Sequence, residues 1–337
     1  MAPIKSSLAK SAKQLLGLRN TADLGLRGAT QTQRTPPKFT ASGGTTYTPG
    51  NGYKYHVFTH PNSDTFQVIA GEADCEVLVV AGGGGAGDGD YGGGGGGGGI
   101  IYDTAFPVLG GTTYPVTVGN GGQNPNSGPV TPGASGGDSY FGPPSAPQGL
   151  TGKGGGGGGC HPEVAATPGG SGGGDGSSPG GYGNATQPSV TKPGTATNYG
   201  YRGGGPAAAG AVSAAGGGGS GEIGAVNPGP SIGGLGGSGT AFPGFEYPLI
   251  GLSPLTPHSP SNNQYGGGGT GWGYSPGASQ RGGYGGGGRG QTYPGTTSPN
   301  QDTPGVNHLG GGGGGAYPGR GSPGGSGIVV VRYQSPA

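Results

Sequence analysis

Charge is scarce in this chain. Asp, Glu, Lys and Arg make up 9% of its residues and the formal net charge is +1. That excludes an electrostatic nucleic-acid binder, which needs a basic stripe, and equally the disorder that high net charge drives. Cysteine is nearly absent. Cys75 and Cys160 could form one disulfide, but their spacing fits no zinc pattern. No apolar run approaches the roughly 20 residues that span a bilayer. Residues 1–18 carry lysines without a continuous apolar stretch, so they do not read as a secretory signal. Large apolar side chains are also few, and they concentrate in residues 53–118 and 328–333. One modest core follows, with the rest ordered by other means or not at all.

What fills the chain is glycine. There are 96 Gly and 33 Pro in 337 residues, far above the usual share of about 12% for the two together. Glycine runs near 82–85, 92–99, 119–122, 154–159, 169–174, 203–205, 216–219, 233–239, 266–269, 282–290, 310–315 and 324–327 are separated by Pro, Ser, Thr, Asn and Tyr segments. No Gly-X-Y period exists, which excludes a collagen helix. Two readings remain. One is a flexible linker. The other is a lattice of polyglycine helices with polyproline-II geometry, three residues per turn and no internal hydrogen bonds, in which neighbouring rods satisfy one another's amides. A lone run would not order, because glycine loses the most backbone freedom of any residue. Many runs pinned at both ends favour the lattice.

The β pattern lies at the two ends. Strands are expected at 53–58, 65–69, 76–80, 100–102, 106–109, 114–118, 139–141 and 327–333, with turn signals between them. The terminal strand needs ladder partners, and 76–80 or 65–69 are the candidates. The glycine-rich stretch of about 142–326 then becomes one long insertion. The expected fold class is mainly β: a small antiparallel sandwich of TNF-like or jelly-roll type carrying an inserted polyglycine lattice, preceded by a short α-helix and an extended arm.

That helix is expected over 3–16. Ile4, Leu8, Leu15 and Leu16 share one face, and Gly17 is a natural stop. A helix so short is marginal alone, so its face either folds back on its own domain or anchors the chain to another subunit. Residues 19–44, with Arg19, Arg27, Arg34 and Pro36-Pro37, read as the arm. The division is 1–18 anchor, 19–44 arm and 45–333 glycine-rich domain.

Chemical motifs are wanting. Matches to G-x-G-x-x-G carry no meaning in so glycine-rich a chain. His56, His60, His161, His258 and His308 share no ligand spacing. Cys160-His161 has no oriented third group to make a nucleophile of it, and Asp88 and Asp90 read as a solvated turn. No catalytic, cofactor-binding or metal-binding residue is expected, and the chain is read as non-enzymatic. Aromatic residues in the connectors have two readings: packing that seals the lattice edge, or recognition loops on a rigid frame. On the second, Phe242, Phe245, Tyr247, Tyr265, Trp272 and Tyr274 are the candidate receptor contacts, with 240–265 as the tip.

The segments Glu76-Val77-Leu78-Val79-Val80-Ala81-Gly82-Gly83-Gly84-Gly85, Gly99-Ile100-Ile101-Tyr102, Tyr114-Pro115-Val116-Thr117-Val118-Gly119 and Gly325-Ser326-Gly327-Ile328-Val329-Val330-Val331-Arg332-Tyr333 carry a resemblance over roughly 41–333. They resemble the glycine-rich domains of tail-fibre-like virion proteins from marine phages such as cyanophages. In architecture the chain is similar to the glycine-rich extracellular domain of the anaplastic lymphoma kinase family, where a TNF-like sandwich flanks polyglycine helices, and to phage tail-tip adhesins with polyglycine layers. The resemblance implies a tail-fibre or spike component on the exterior of a virion. It also implies attachment to other virion proteins through residues 1–44, homo-oligomers (a trimer among the options) and contact with a host surface glycan or protein. No nucleic acid and no membrane insertion are expected. The alternatives are a capsid-decorating fibre or knob and, in another class, a host-encoded extracellular filament or matrix protein.

Overall fold

The computed structural model describes residues 38–123, 130–142, 149–176, 180–187, 195–205, 213–229, 231–254, 262–274, 281–291, 303–317 and 321–335. The helix and most of the arm expected from the sequence lie outside these residues. Two antiparallel sheets face each other, with strands numbered in chain order. The first has five strands in the order β1 (Thr40–Ser42), β4 (Ser63–Ala70), β7 (Thr113–Thr117), β8 (Ser139–Phe141) and β9 (Leu150–Gly152). The second has six: β10 (Thr197–Tyr199), β6 (Ile100–Leu109), β5 (Glu72–Val80), β13 (Ile328–Gln334), β3 (Tyr53–Phe58) and β2 (Thr45–Tyr47). A two-stranded ribbon joins β11 (Thr240–Ala241) to β12 (Gln264–Tyr265).

Alternation decides which side chains fill the sandwich. Phe66, Val68, Val77, Val79, Phe106, Val116, Phe141, Val329 and Val331 meet between the sheets. The other face of the six-stranded sheet is covered as well. Leu78, Val80, Ile100, Ile328 and Val330 point outward and pack under Phe242, Phe245, Tyr247, Ile250, Tyr265 and Leu309. Burial on both faces explains why 328–333 is a continuous apolar run and not an alternating one.

Several expectations are corrected here. β13 lies between β5 and β3, pairing Val330 with Leu78 and with Val57, and β4 belongs to the opposite sheet. Residues assigned to the arm already form a strand, β1, paired with β4. The insertion returns short strands to both sheets through β9 and β10. The lattice begins well before 142, since residues 81–99, 119–122 and 131–137 are part of it.

The lattice has a period of three. From 81–88, the amides of Ala81, Gly84 and Gly87 donate to Gly99, Gly96 and Gly93. Those of Gly82, Gly85 and Asp88 donate to Gly137, Ala134 and Thr131, and those of Gly83 and Ala86 to Gly325 and Ser322. One segment thus serves three neighbours in rotation, as a threefold rod must. Residues 92–99 lie at the centre. Their amides donate to 153–159, 215–218 and 310–316, and their carbonyls accept from 81–87, 171–174 and 269–272. That is six surrounding rods. Residues 214–219 have the same coordination: they donate to 172–175, 222–225 and 269–272 and accept from 94–97, 201–204 and 234–237.

Only glycine permits this spacing. A Cβ on Gly95 would stand 2.1 Å from the carbonyl oxygen of Gly84, and one on Gly94 2.0 Å from that of Gly269. The rods are pinned by direct continuity with strands. β5 runs into 81–87, 92–99 runs into β6, β9 leads into 153–159, and 321–327 leads into β13.

Candidate functional site

The receptor contacts expected from the sequence are mostly inside the protein. Phe242, Phe245, Tyr247 and Tyr265 are buried against the six-stranded sheet, and Trp272 is fully buried. The connector 240–265 is therefore a cover for the sheet, not a tip. Apolar strand residues need such a lid, and this is the connector rich enough in large apolar groups to supply it. Arg332 fixes it in place. Its guanidinium lies between the rings of Tyr53 and Phe245, 4.7 and 4.5 Å from their centroids. It pairs with Glu76 at 2.7 Å and donates to the carbonyl of Gly244 at 2.7 Å. Gly244 adopts a left-handed φ of 85°, and a Cβ there would meet the Arg332 guanidinium at 1.6 Å, so no other residue fits. Of the six candidates only Tyr274, 45% exposed, reaches the surface.

A second aromatic cluster, which reaches the surface through half-buried rings and Tyr274 and has Trp272 buried beneath them, lies elsewhere. Residues 81–87 lead away from the end of β5, and 92–99 return to the start of β6. The turn 88–91 is therefore at the far end of the lattice, about 20 Å from the sheet at roughly 3.1 Å per residue. Tyr91 sits in that turn with a left-handed φ of 51°, an uncommon state for a bulky residue and one that points to function. Its ring stacks on Tyr317, with centroids 4.9 Å apart and planes 4° from parallel. Trp272 lies 4.8 Å from Tyr91 and 5.0 Å from Tyr317. His161 meets Tyr91 edge-on at 5.4 Å, and Tyr274 meets Trp272 edge-on at 6.3 Å.

The main chain beside three of these rings is hydrogen-bonded in place. The backbone N–H of Trp272 donates to the Gly92 carbonyl at 3.0 Å, and the Gly92 N–H to the Ala316 carbonyl at 3.2 Å. His161 N–H donates to Asp90 at 2.8 Å, and Tyr317 N–H to Gln291 Oε1 at 3.0 Å. The Tyr91 phenol is held above its ordinary pKa by partial burial and by the neighbouring Tyr317, Asp90 and Tyr274. The cluster is thus an aromatic platform of mutually packed rings with the Asp90 carboxylate beside it.

The same pole gathers buried polar atoms that no group among the described residues satisfies: Thr131 Oγ1, His161 Nδ1, Asp175 Oδ2 and Trp272 Nε1. Asp175 is fully buried and its pKa is pushed up to about 6 by that burial. Cys160 lies nearby, its thiol donating to the Thr131 carbonyl at 3.2 Å. Burial first, then Asp88 and Asp90, push its pKa up to about 12, which removes it as a nucleophile. Cys75 is in the inter-sheet core, and both thiols are free, so the disulfide considered from the sequence does not form. Among the described residues no group of three or more His, Cys, Asp or Glu could hold a metal.

Tyr91 and Tyr317 were not among the expected contacts. Tyr91 is a lone aromatic between two glycine runs, and only the rod topology brings it to Trp272.

The model of the glycine-rich domain family matches residues 59–334. The chain belongs to that family. No curated protein matches it. The matched span takes in the sheets and the lattice together, so this glycine-rich domain is a sandwich and its rods, not a spacer between folded parts.

Proposed function

We propose that the chain is a non-enzymatic virion structural protein, a phage tail-fibre or spike component whose glycine-rich domain carries a recognition surface away from the particle. The observation that supports this most is polarity. Lys38 and Ser335, the two ends of the described chain, line one groove with Phe39, Tyr53, Glu76 and Arg332. That groove lies at the ends of β5 and β13 farthest from the lattice, and the aromatic platform lies beyond the lattice at the other pole. A stiff body with its attachment at one end and rigid aromatics at the other suits adhesion. The segmental resemblance to marine phage fibre proteins supports the same reading.

In this reading residues 1–44 dock onto other virion proteins, with Ile4, Leu8, Leu15 and Leu16 as the anchor face, and the chain assembles as a homo-oligomer. Its mechanism is binding and stiffness. The test is location. Antibody labelling of purified DNA-filled particles is expected to mark tail structures. Label on the head would favour a capsid decoration, and its absence from particles would contradict the reading. Deleting residues 1–18 is expected to leave a folded domain that no longer incorporates, and normal incorporation of that deletion would rule out the anchor.

A further inference from the structure

We infer that the platform of Tyr91, Tyr274, Tyr317 and Trp272 is a saccharide-binding site that takes uncharged hexose or N-acetylhexosamine units. The inference rests on the adhesive reading above and names its ligand class. A pyranose presents a flat apolar C–H face with hydroxyls around its rim. The platform presents the complement. Tyr91 and Tyr317 are stacked and backed by Trp272, while Tyr274 offers an exposed ring beside them. The Tyr91 and Tyr317 phenols interact with each other, and the exposed Asp90 lies close to Tyr91, where ring hydroxyls need donors and acceptors. Asp88, Asp90 and Glu163 at this pole disfavour an anionic sugar. The rings pack against one another, so less side-chain entropy is lost on binding.

A protein receptor is the competing occupant. A specific protein interface buries about 800 Å² on each side, whereas the observed feature is a small group of rings with polar edges, which suits one or two sugar units better.

Trp272 is the only tryptophan in the chain, so its fluorescence reports on this site alone. The full chain is titrated with neutral hexose and N-acetylhexosamine oligosaccharides and with their sulfated and sialylated counterparts. A saturable change in Trp272 emission is expected with members of the neutral set. Tyr274→Ala is expected to weaken it at least tenfold while thermal unfolding stays unchanged, because that ring is half exposed and closes no core. Tyr274→Phe, which keeps the ring and loses the hydroxyl, is expected to retain most binding. No response to any saccharide, preference for the charged set, or equal binding by Tyr274→Ala would overturn the inference. Adhesion to cells that survives periodate oxidation of their glycans but is lost on protease treatment would overturn it in favour of a protein receptor. None of these results bears on whether the chain is found in particles, so the adhesive reading stands or falls on the labelling test.

Discussion

The sandwich and the lattice are two solutions to the same requirement, that buried amides find partners. In the sandwich each inner strand exchanges hydrogen bonds with two neighbours, and apolar side chains fill the space between sheets. In the lattice each central rod exchanges them with six neighbours, and there are almost no side chains to bury. The sandwich is therefore held by apolar area and tolerates changes that keep volume. The lattice is held by backbone geometry and tolerates no added atom at its centre. Each region needs the other. Rods of bare glycine carry the highest ordering cost, and the strands that flank them fix their ends.

This contrast sets the expected order of mutational effects. Gly95→Ala places a methyl 2.1 Å from a carbonyl oxygen at the most coordinated rod. It is expected to destabilise by more than about 4 kcal/mol, measured by denaturant unfolding. Phe66→Ala, in the inter-sheet core, is expected to lose about 3–5 kcal/mol. If Gly95→Ala proved milder than Phe66→Ala, the division between the two regions would fail.

Asp175→Asn acts in the opposite direction. The carboxyl is raised from 3.8 to about 6 by burial, so above that range the folded state holds a charge it disfavours. The substitution is expected to stabilise by roughly 1–3 kcal/mol at about pH 8. The gain should shrink as pH falls from about 6 and vanish below about 4, where the wild-type group is protonated folded or unfolded. His56 gives a smaller effect of the other sign. It is fully buried between the Gly43 carbonyl and the Tyr333 hydroxyl, and burial lowers its pKa. The unfolded chain then binds the proton first, and stability falls as pH drops below about 6.5. His56→Gln should flatten that acid slope.

The smallest effect is expected at Gly229. Among the described residues nothing lies within 4 Å of a Cβ built there, and Gly229→Ala should change stability by less than about 0.5 kcal/mol. A large loss there would mean that glycine content as such, and not close approach, is what the lattice requires.

The long strands were legible because β-branched and aromatic residues mark them between turn signals. β3 to β8 and β13 fall where those runs lie. β1, β2, β9 and β10 were not, since Thr-Ala-Ser, Thr-Thr-Tyr, Leu-Thr-Gly and Thr-Asn-Tyr are too short to carry a period and owe their pairing to the neighbouring strand. The rods could be foreseen as a class from the recurrence of the runs, but their partners could not. One glycine run offers the same surface as another, and only the connectors and the pinned ends select among them. The role of 240–265 had a signal that pointed the right way. A terminal strand apolar on both faces requires a second cover, and Phe242, Phe245, Tyr247 and Ile250 form the apolar block available for it. The platform had no such signal, because Tyr91, Trp272 and Tyr317 are brought together by the rod register alone.

Amide hydrogen exchange along residues 92–99 tests the central claim most directly. If six neighbours hold this rod, every amide from Gly93 to Gly99 exchanges as slowly as those of β5 and β13, without the alternation of an edge strand. Rapid exchange through that run, with β5 and β13 still protected, would contradict the lattice and leave a small sandwich with unstructured glycine between its strands.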